Sequence, residues 1–302
     1  FFCMGGNFLS ATPDTNYTAN ALSKVDLIVQ VSTKLNRSHI VTGKEAIILP
    51  CLGRTESDMQ SSGEQFVTVE NSMGIVHRSQ GSLKPASSSL RSEPWIVASL
   101  ASNTLESTPI NWMELVDSYD GIRDLMSDCL QGFEQYNERV RQTNGFYLPN
   151  PPRDSRSFNT NDGKAHFTTH ELPDVEIPNG HFVMMTLRSH DQYNTTIYGL
   201  DDRYRGIKGN RRIIMMNPHD MLNRGWKTRQ LIDITSHFKG KERFSKNWIV
   251  IPYDIPQGNL ASYFPEANEL VPIDSTADLS NTPTSKWIVC SLSETYGSTE
   301  EE

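Results

Sequence analysis

Glycine-signature loops, paired cysteines and long apolar runs are missing from this 302-residue chain, and each absence removes a class of function. No apolar run approaches the roughly 18 to 20 residues that cross a bilayer, so no membrane span is expected. The four cysteines, Cys3, Cys51, Cys129 and Cys290, form no C-x-x-C. That argues against an iron–sulfur site, a zinc site or a disulfide framework, and for buried free thiols in a reducing compartment. A cytoplasmic location follows as the expectation. There is no G-x-G-x-x-G, no P-loop, no H-E-x-x-H, no G-x-S-x-G and no D-[ST]-G. The simplest nicotinamide, nucleotide-hydrolysing, zincin, α/β-hydrolase and aspartic-protease readings go with them. Basic residues are short too: 28 Lys and Arg face 36 Asp and Glu, for a formal charge of −8. A nucleic-acid partner, which would call for a basic face, is not expected.

What is present starts with hydrophobic content of 36% and 9% aromatics, enough for real cores. Within the acidic background, residues 184–217 read "MMTLRSHDQYNTTIYGLDDRYRGIKGNRRIIMMN". Arg188, Arg203, Arg205, Lys208, Arg211 and Arg212 gather there beside Gln192, Asn194, Thr195 and Thr196. Either this is a solvated hairpin or something negatively charged lies against it. A local basic cluster in an acidic chain suits a compact anion better than a long polyanion.

The first hundred residues alternate short apolar runs with helical or loop segments. Strands are expected at Phe1–Phe8, Val25–Ser32, Glu45–Leu49 and Phe66–Glu70, in a parallel sheet with helical crossovers. "FFCMGGNFL" lacks the features of a signal peptide and reads as a strand that needs partners, so the chain is expected to continue upstream. A helix should begin near Ser92. Residues 111–141 carry the clearest helical period, from Trp112 through Tyr119, Met126 and Cys129 to Val140, with Asn111 as N-cap and a kink or close approach at Gly121 or Gly132. A Pro/Asn/Ser-rich linker follows. From 164 the period becomes two, and six or seven strands beginning with "KAHFTTHEL" predict a closed barrel. Only "NPHDMLNRG" interrupts it, as a helix capped by Asn217. The division expected is an α/β part over 1–105, helix and linker over 106–163, a barrel over 164–292 and an acidic tail over 293–302.

His166 and His170 stand four apart, but on a strand that is more than about 12 Å, too far to share a metal ion. His190 has a better claim, as a hydrogen-bond donor near an anion. Gly5, Gly6 and Asn7 end the first strand, where backbone can approach a ligand, and Gln30 and Ser32 end the next on the same edge. Asn268 sits in an otherwise apolar run, where a buried amide needs partners. Lys286 opens the last strand.

In this order, "GGNFLSATPD", "DLIVQVSTKLNRSH", "EAIILPCLGRTE", "MMTLRSHDQYNT", "YFPEANELVP" and "TPTSK" resemble the C-terminal third of the molybdopterin-dependent oxidoreductases, in particular the formate-dehydrogenase-like branch. The resemblance implies a Rossmann-like α/β domain, incomplete at its N-terminus, followed by a six-stranded double-psi β-barrel. It implies molybdenum or tungsten held by two molybdopterin guanine dinucleotides. Asn7, Gln30, Val31 and Glu93 then match nucleotide-contacting positions, with Gly6 beside them, and Glu93 would accept from a guanine edge. Thr186, Leu187, Arg188, Ser189, His190, Asp191, Gln192, Tyr193, Asn194 and Thr195 match the barrel's cofactor loop. Asn268 and Lys286 match positions near the pterin end. Arg203–Arg212 reads either as a surface loop or as lining the approach to the cofactor.

There are departures. The family's lysine after the "LP" strand is missing beside Glu56 in "LGRTESD". The metal ligand, the catalytic histidine and arginine and any iron–sulfur cluster belong upstream in that family, so no catalytic or metal-ligating residue is expected here. The implied partners are the N-terminal remainder of the same polypeptide and an electron-transfer protein. The rivals are a relative acting on another small substrate and a stand-alone nucleotide- or protein-binding module.

Overall fold

The computed structural model describes residues 1–171, 176–195 and 197–295; Thr196 and the acidic tail from 296 onward lie outside them. Contacts divide the chain into two compact units. One comprises Phe1–Gln30, Leu35–Ile48 and Pro173–Glu302, the other Val31–Lys34 and Leu49–Leu172. Composition points to cuts near 105 and 163, whereas contacts group most of the first 48 residues with the barrel.

At the N-terminus, β1 (Phe2–Met4), β2 (Leu27–Ser32) and β3 (Glu45–Pro50) form a three-stranded sheet in that order. Phe1 N–H donates to Leu27 O at 2.7 Å and Val29 N–H to Phe1 O at 2.8 Å, so β1 and β2 run parallel. The strand expected over 1–8 stops at Met4. Gly5 and Gly6 turn the chain at φ 63° and 71°, and Asn7 caps α1 (Phe8–Ala11). The short helix α2 (Thr15–Leu22) leads back to β2.

The second unit holds the hairpin of β4 (Asp58–Gln60) and β5 (Gly63–Gln65). Beside it stands an antiparallel sheet of β6 (Val67–Glu70), β7 (Ile75–Ser79) and β8 (Phe146–Tyr147). The strand expected at Phe66–Glu70 is therefore no fourth member of the parallel sheet. The turn closed by Gly74 N–H on Asn71 O (3.0 Å) folds it back onto β7 instead. The sheet falls short of the larger Rossmann-like one.

Helix α3 (Glu93–Thr104) begins where the sequence places it, with Ser92 Oγ accepting from Trp95 N–H. The period over 111–141 is real, but three helices share it: α4 (Trp112–Asp117), α5 (Tyr119–Cys129) and α6 (Tyr136–Val140). Gly132 (φ 93°) marks the second break, and a Cβ there would stand 2.6 Å from Pro149 Cδ. The stripe still packs as core: Val116 and Tyr119 lie with Ala98, and Tyr136 and Val140 with Phe66, Val76 and Phe146. Cys129 is exposed and Cys3 half-buried, so the expectation of buried thiols holds only for Cys51 and Cys290. Within the expected linker lies the short α7 (Pro151–Ser155), capped by Asn150.

The barrel is closed and has six strands: β9 (Phe182–Leu187), β10 (Ile213–Met216), β11 (Leu231–Phe238), β12 (Lys241–Pro252), β13 (Asn259–Tyr263) and β14 (Ile288–Glu294). Around it the order is β10-β12-β11-β14-β9-β13, and β13 closes on β10. β10–β12 and β13–β9 are parallel pairs and the other neighbours are antiparallel. The first strand expected, over 164–172, does not form: residues 164–171 have no regular structure and Phe167 is exposed. Alternation in the other strands turns Met184, Ile214, Ile232, Trp248, Val250, Leu260 and Cys290 into one core. Each such side chain contributes about 1.5–3 kcal/mol on burial. Helix α8 (Pro218–Asn223) is capped by Asn217, as its sequence predicts.

Candidate functional site

Beyond Leu187 the chain leaves the barrel wall, and Asp191 (φ 60°) and Asn194 (φ 45°) give it a tight, left-handed course. Short polar side chains tolerate that conformation best. Gln192 holds the loop together. Its Oε1 accepts from Ser189 N–H (2.9 Å) and Ser189 Oγ (3.3 Å), while its Nε2 donates to Asn194 O (2.8 Å) and Phe264 O (2.7 Å). Beneath it lies Arg211, only 3% exposed. Its guanidinium donates to Glu266 Oε1 (2.9 Å), Ser189 Oγ (2.6 Å), Gln192 Oε1 (3.0 Å) and Phe264 O (2.7 Å). The rings of Tyr198 and Tyr263 flank it at 4.3 and 4.8 Å.

The arginine cluster thus separates into two kinds. Arg205 pairs with buried Asp202 (2.6 Å), which also accepts from Tyr263 Oη (2.7 Å). Burial alone would raise the Asp202 carboxyl, but these donors hold it below the usual range. Arg212 pairs with Glu269 at 2.8 Å and lies over Trp248. Arg205, Arg211 and Arg212 are therefore internal struts, while Arg203 and Lys208 stay exposed.

Arg188 and Lys286 are different. Both are exposed, and neither has a carboxylate within ion-pair distance among the described residues. Lys286 Nζ donates to Thr186 O at the end of β9. Burial of part of the side chain, and then the charge of Arg188, push the Lys286 pKa below the ordinary lysine value. Two cations that repel one another near a strand end, with no ion-pairing carboxylate among the described residues, are a place where a bound anion gains twice. His190 stacks on Tyr204 at 3.7 Å. Its buried Nε2 lies 3.1 Å from Asp191 Oδ1 but is too poorly aligned for a hydrogen bond. Thr186, Ser189 and Thr195 are buried, whereas Tyr193 and Asn194 are exposed.

The N-terminal candidates are mostly committed to the fold. Asn7 Oδ1 accepts from Ser38 Oγ (3.0 Å) and Ser10 N–H (3.4 Å), and Gln30 Nε2 donates to Ser38 O (2.9 Å). Asn268 Nδ2 donates to Ser10 O (2.7 Å) and Ala11 O (3.1 Å), tying α1 to the barrel. Gly6 is open: nothing lies within 4 Å of where its Cβ would be. Sequence reasoning missed Ser38, whose hydroxyl donates to Asn7 and whose backbone carbonyl accepts from Gln30. It also missed Arg211 and understated Gln192, which looked like one more polar member of a run.

In the second unit Val31 is fully buried, while Glu93 opens α3 and lines a small pocket with Arg54, Glu56, Asp58, Gln65 and Tyr119. Glu56 accepts from Gly53 N–H (2.6 Å) and Ala86 N–H (2.7 Å), so its charge is met by backbone donors without the missing lysine. Tyr119 Oη lies 2.6 Å from Ser92 Oγ and 2.5 Å from Asp58 Oδ2, and burial followed by Asp58 pushes its pKa up. Burial, then Glu93 and Glu56, raise the Cys51 thiol to about 11, which keeps it protonated and unreactive. No group of His, Cys, Asp and Glu suited to a metal ion occurs among the described residues. None of their helices is long and apolar enough to cross a membrane.

Comparison with known proteins bears on the barrel first. Residues 182–289 match the molydopterin dinucleotide binding domain. An uncharacterised oxidoreductase of Mycobacterium tuberculosis is 50% identical over 301 residues, 98% of this chain and 39% of that protein. Protein YdeP of Escherichia coli is 43% identical over 297 residues, 96% of this chain and again 39% of its own length. The chain thus spans about two fifths of the curated relatives it matches. Acetylene hydratase from Pelobacter acetylenicus superposes with a TM-score of 0.61 over 98% of this chain and 44% of its own, at 13% identity, a likeness of fold. The domain match thus falls on the barrel, and one of the relatives of which this chain spans two fifths is named an oxidoreductase.

Proposed function

We propose that this chain is the cofactor-holding C-terminal portion of a bis-molybdopterin guanine dinucleotide oxidoreductase with molybdenum or tungsten, formate-dehydrogenase-like in its substrate. The observation that carries the reading is the exposed pair Arg188 and Lys286 beside the end of β9 in the matched domain, without an ion-pairing carboxylate among the described residues. The residues fit such a ligand. Arg188 meets phosphate charge with a planar fork of donors, Lys286 adds a point charge, and Asn194 and Tyr193 stand exposed beside them. Open backbone at Gly6 lets a ligand come close to the chain. By the resemblance alone, Glu93 would accept from the N–H donors of a guanine edge. When bound, the cofactor supplies two-electron chemistry on a small oxidisable substrate, and this portion supplies grip and orientation. Formate rests on the resemblance of "MMTLRSHDQYNT" and its companions, as do an electron-transfer partner and an iron–sulfur cluster elsewhere in the polypeptide, while a cytoplasmic location rests on the free cysteines.

The test is metal and pterin analysis of the intact protein purified from a molybdenum-replete host. Stoichiometric pterin dinucleotide with molybdenum or tungsten is the expected result. A protein free of both, from a host that loads other molybdoenzymes, would remove the reading.

A further inference from the structure

The loop that carries Arg188 is fixed at the peptide planes on either side of that residue. The Arg188–Ser189 peptide has its carbonyl held by Arg205 NH1 (3.3 Å) and its N–H held by Gln192 Oε1 (2.9 Å). Arg205 is anchored in turn on buried Asp202. Gln192 is anchored by Arg211 and by the carbonyls of Asn194 and Phe264. The preceding Leu187–Arg188 peptide is held as well, by Phe264 N–H on Leu187 O (2.8 Å), and two planes held on either side of one Cα set the direction of its Cα–Cβ bond, here that of Arg188. The side chain of Arg188 itself is exposed, with the Phe264 ring 5.9 Å from its guanidinium. Its aim is therefore decided by the backbone beneath it.

We infer that Gln192 is a positioning residue: without touching the anionic cofactor, it aims Arg188 at it, with Arg211 as the buried strut behind it. The inference rests on the proposed reading of this loop as a cofactor site. The orientation of the Gln192 amide is set by its partners, since Oε1 faces donors from Ser189 and Arg211 while Nε2 faces two carbonyls. Gln192→Glu keeps size and the Oε1 side but turns the other end into an acceptor facing Asn194 O and Phe264 O. The loop must then move, and the peptide plane with it.

The experiment is a double-mutant cycle in the intact protein, read as the rate at which bound pterin dinucleotide is released. Gln192→Glu and Arg188→Ala are each expected to speed release by roughly tenfold, the loss of one charge-assisted contact. The double variant should release no faster than Arg188→Ala alone, because Gln192 acts through that side chain. If the two effects multiply, or Gln192→Glu changes nothing while Arg188→Ala speeds release, the positioning role is wrong and the site reading stands. If Arg188→Ala leaves release unchanged, the site reading itself falls. A lower melting midpoint for Gln192→Glu does not rescue the inference, since a merely structural fault predicts multiplied effects.

Discussion

At the scale of single residues, the difference between a cation that supports the fold and one left free to solvent is its partner. Arg211 and Glu266 form a pair whose guanidinium is almost wholly buried. Arg211→Met would strand that carboxylate, so a loss of about 3–5 kcal/mol is expected in urea unfolding; a cost below about 1 kcal/mol would contradict the burial argument. Lys286 is the opposite case. Its pKa is depressed, so holding its proton costs the folded state, and the cost applies at neutral pH and vanishes once pH exceeds both its folded and unfolded values. Lys286→Met should leave the cofactor-free unfolding midpoint at pH 7 unchanged or raised, with the advantage shrinking as pH rises; a clear fall would mean that the lysine is paired. Arg188→Ala in the intact protein should remove a contact worth roughly 1.5 to 3 kcal/mol and lower cofactor retention as well as turnover, measured as pterin per polypeptide.

At the scale of elements, period and capping were legible wherever local chemistry decides. Ser92, Asn111 and Asn217 cap the helices they were expected to cap, and the alternation in 182–187, 213–216 and 288–294 became barrel strands. Breaks were harder to read. The stripe from Trp112 to Val140 kept its apolar face, yet only packing shows why it is three helices: Pro149 occupies the space beside Gly132. Gly132→Ala is expected to cost about 1–3 kcal/mol, from the positive φ and the clash together, and thermal unfolding would show it. The failed strand over 164–171 teaches the converse, since alternating residues form a strand only where a neighbour offers a hydrogen-bonding edge.

At the scale of the whole molecule, the contacts of the first unit join segments more than two hundred residues apart. Asp14 accepts from Arg243 at 2.6 Å, and Asn268 holds the carbonyls that end α1. Amides of α1 and α2 should therefore exchange with solvent together with those of the barrel strands; early, independent exchange of residues 8–22 would speak against that unit. The chain by itself, lacking the metal ligand that the family resemblance puts elsewhere, is expected to hold no stoichiometric molybdenum and to oxidise no formate. The sequence by itself determined the six strands that close the barrel and the helix caps, because side-chain period and capping chemistry act over a few residues. Only the tertiary structure decided which arginines are struts, that Asn268 spends its amide on α1, and that Phe66–Glu70 turns away from the parallel sheet. Those outcomes depend on which distant carboxylate or carbonyl lies within about 3 Å, a distance that chain order does not encode.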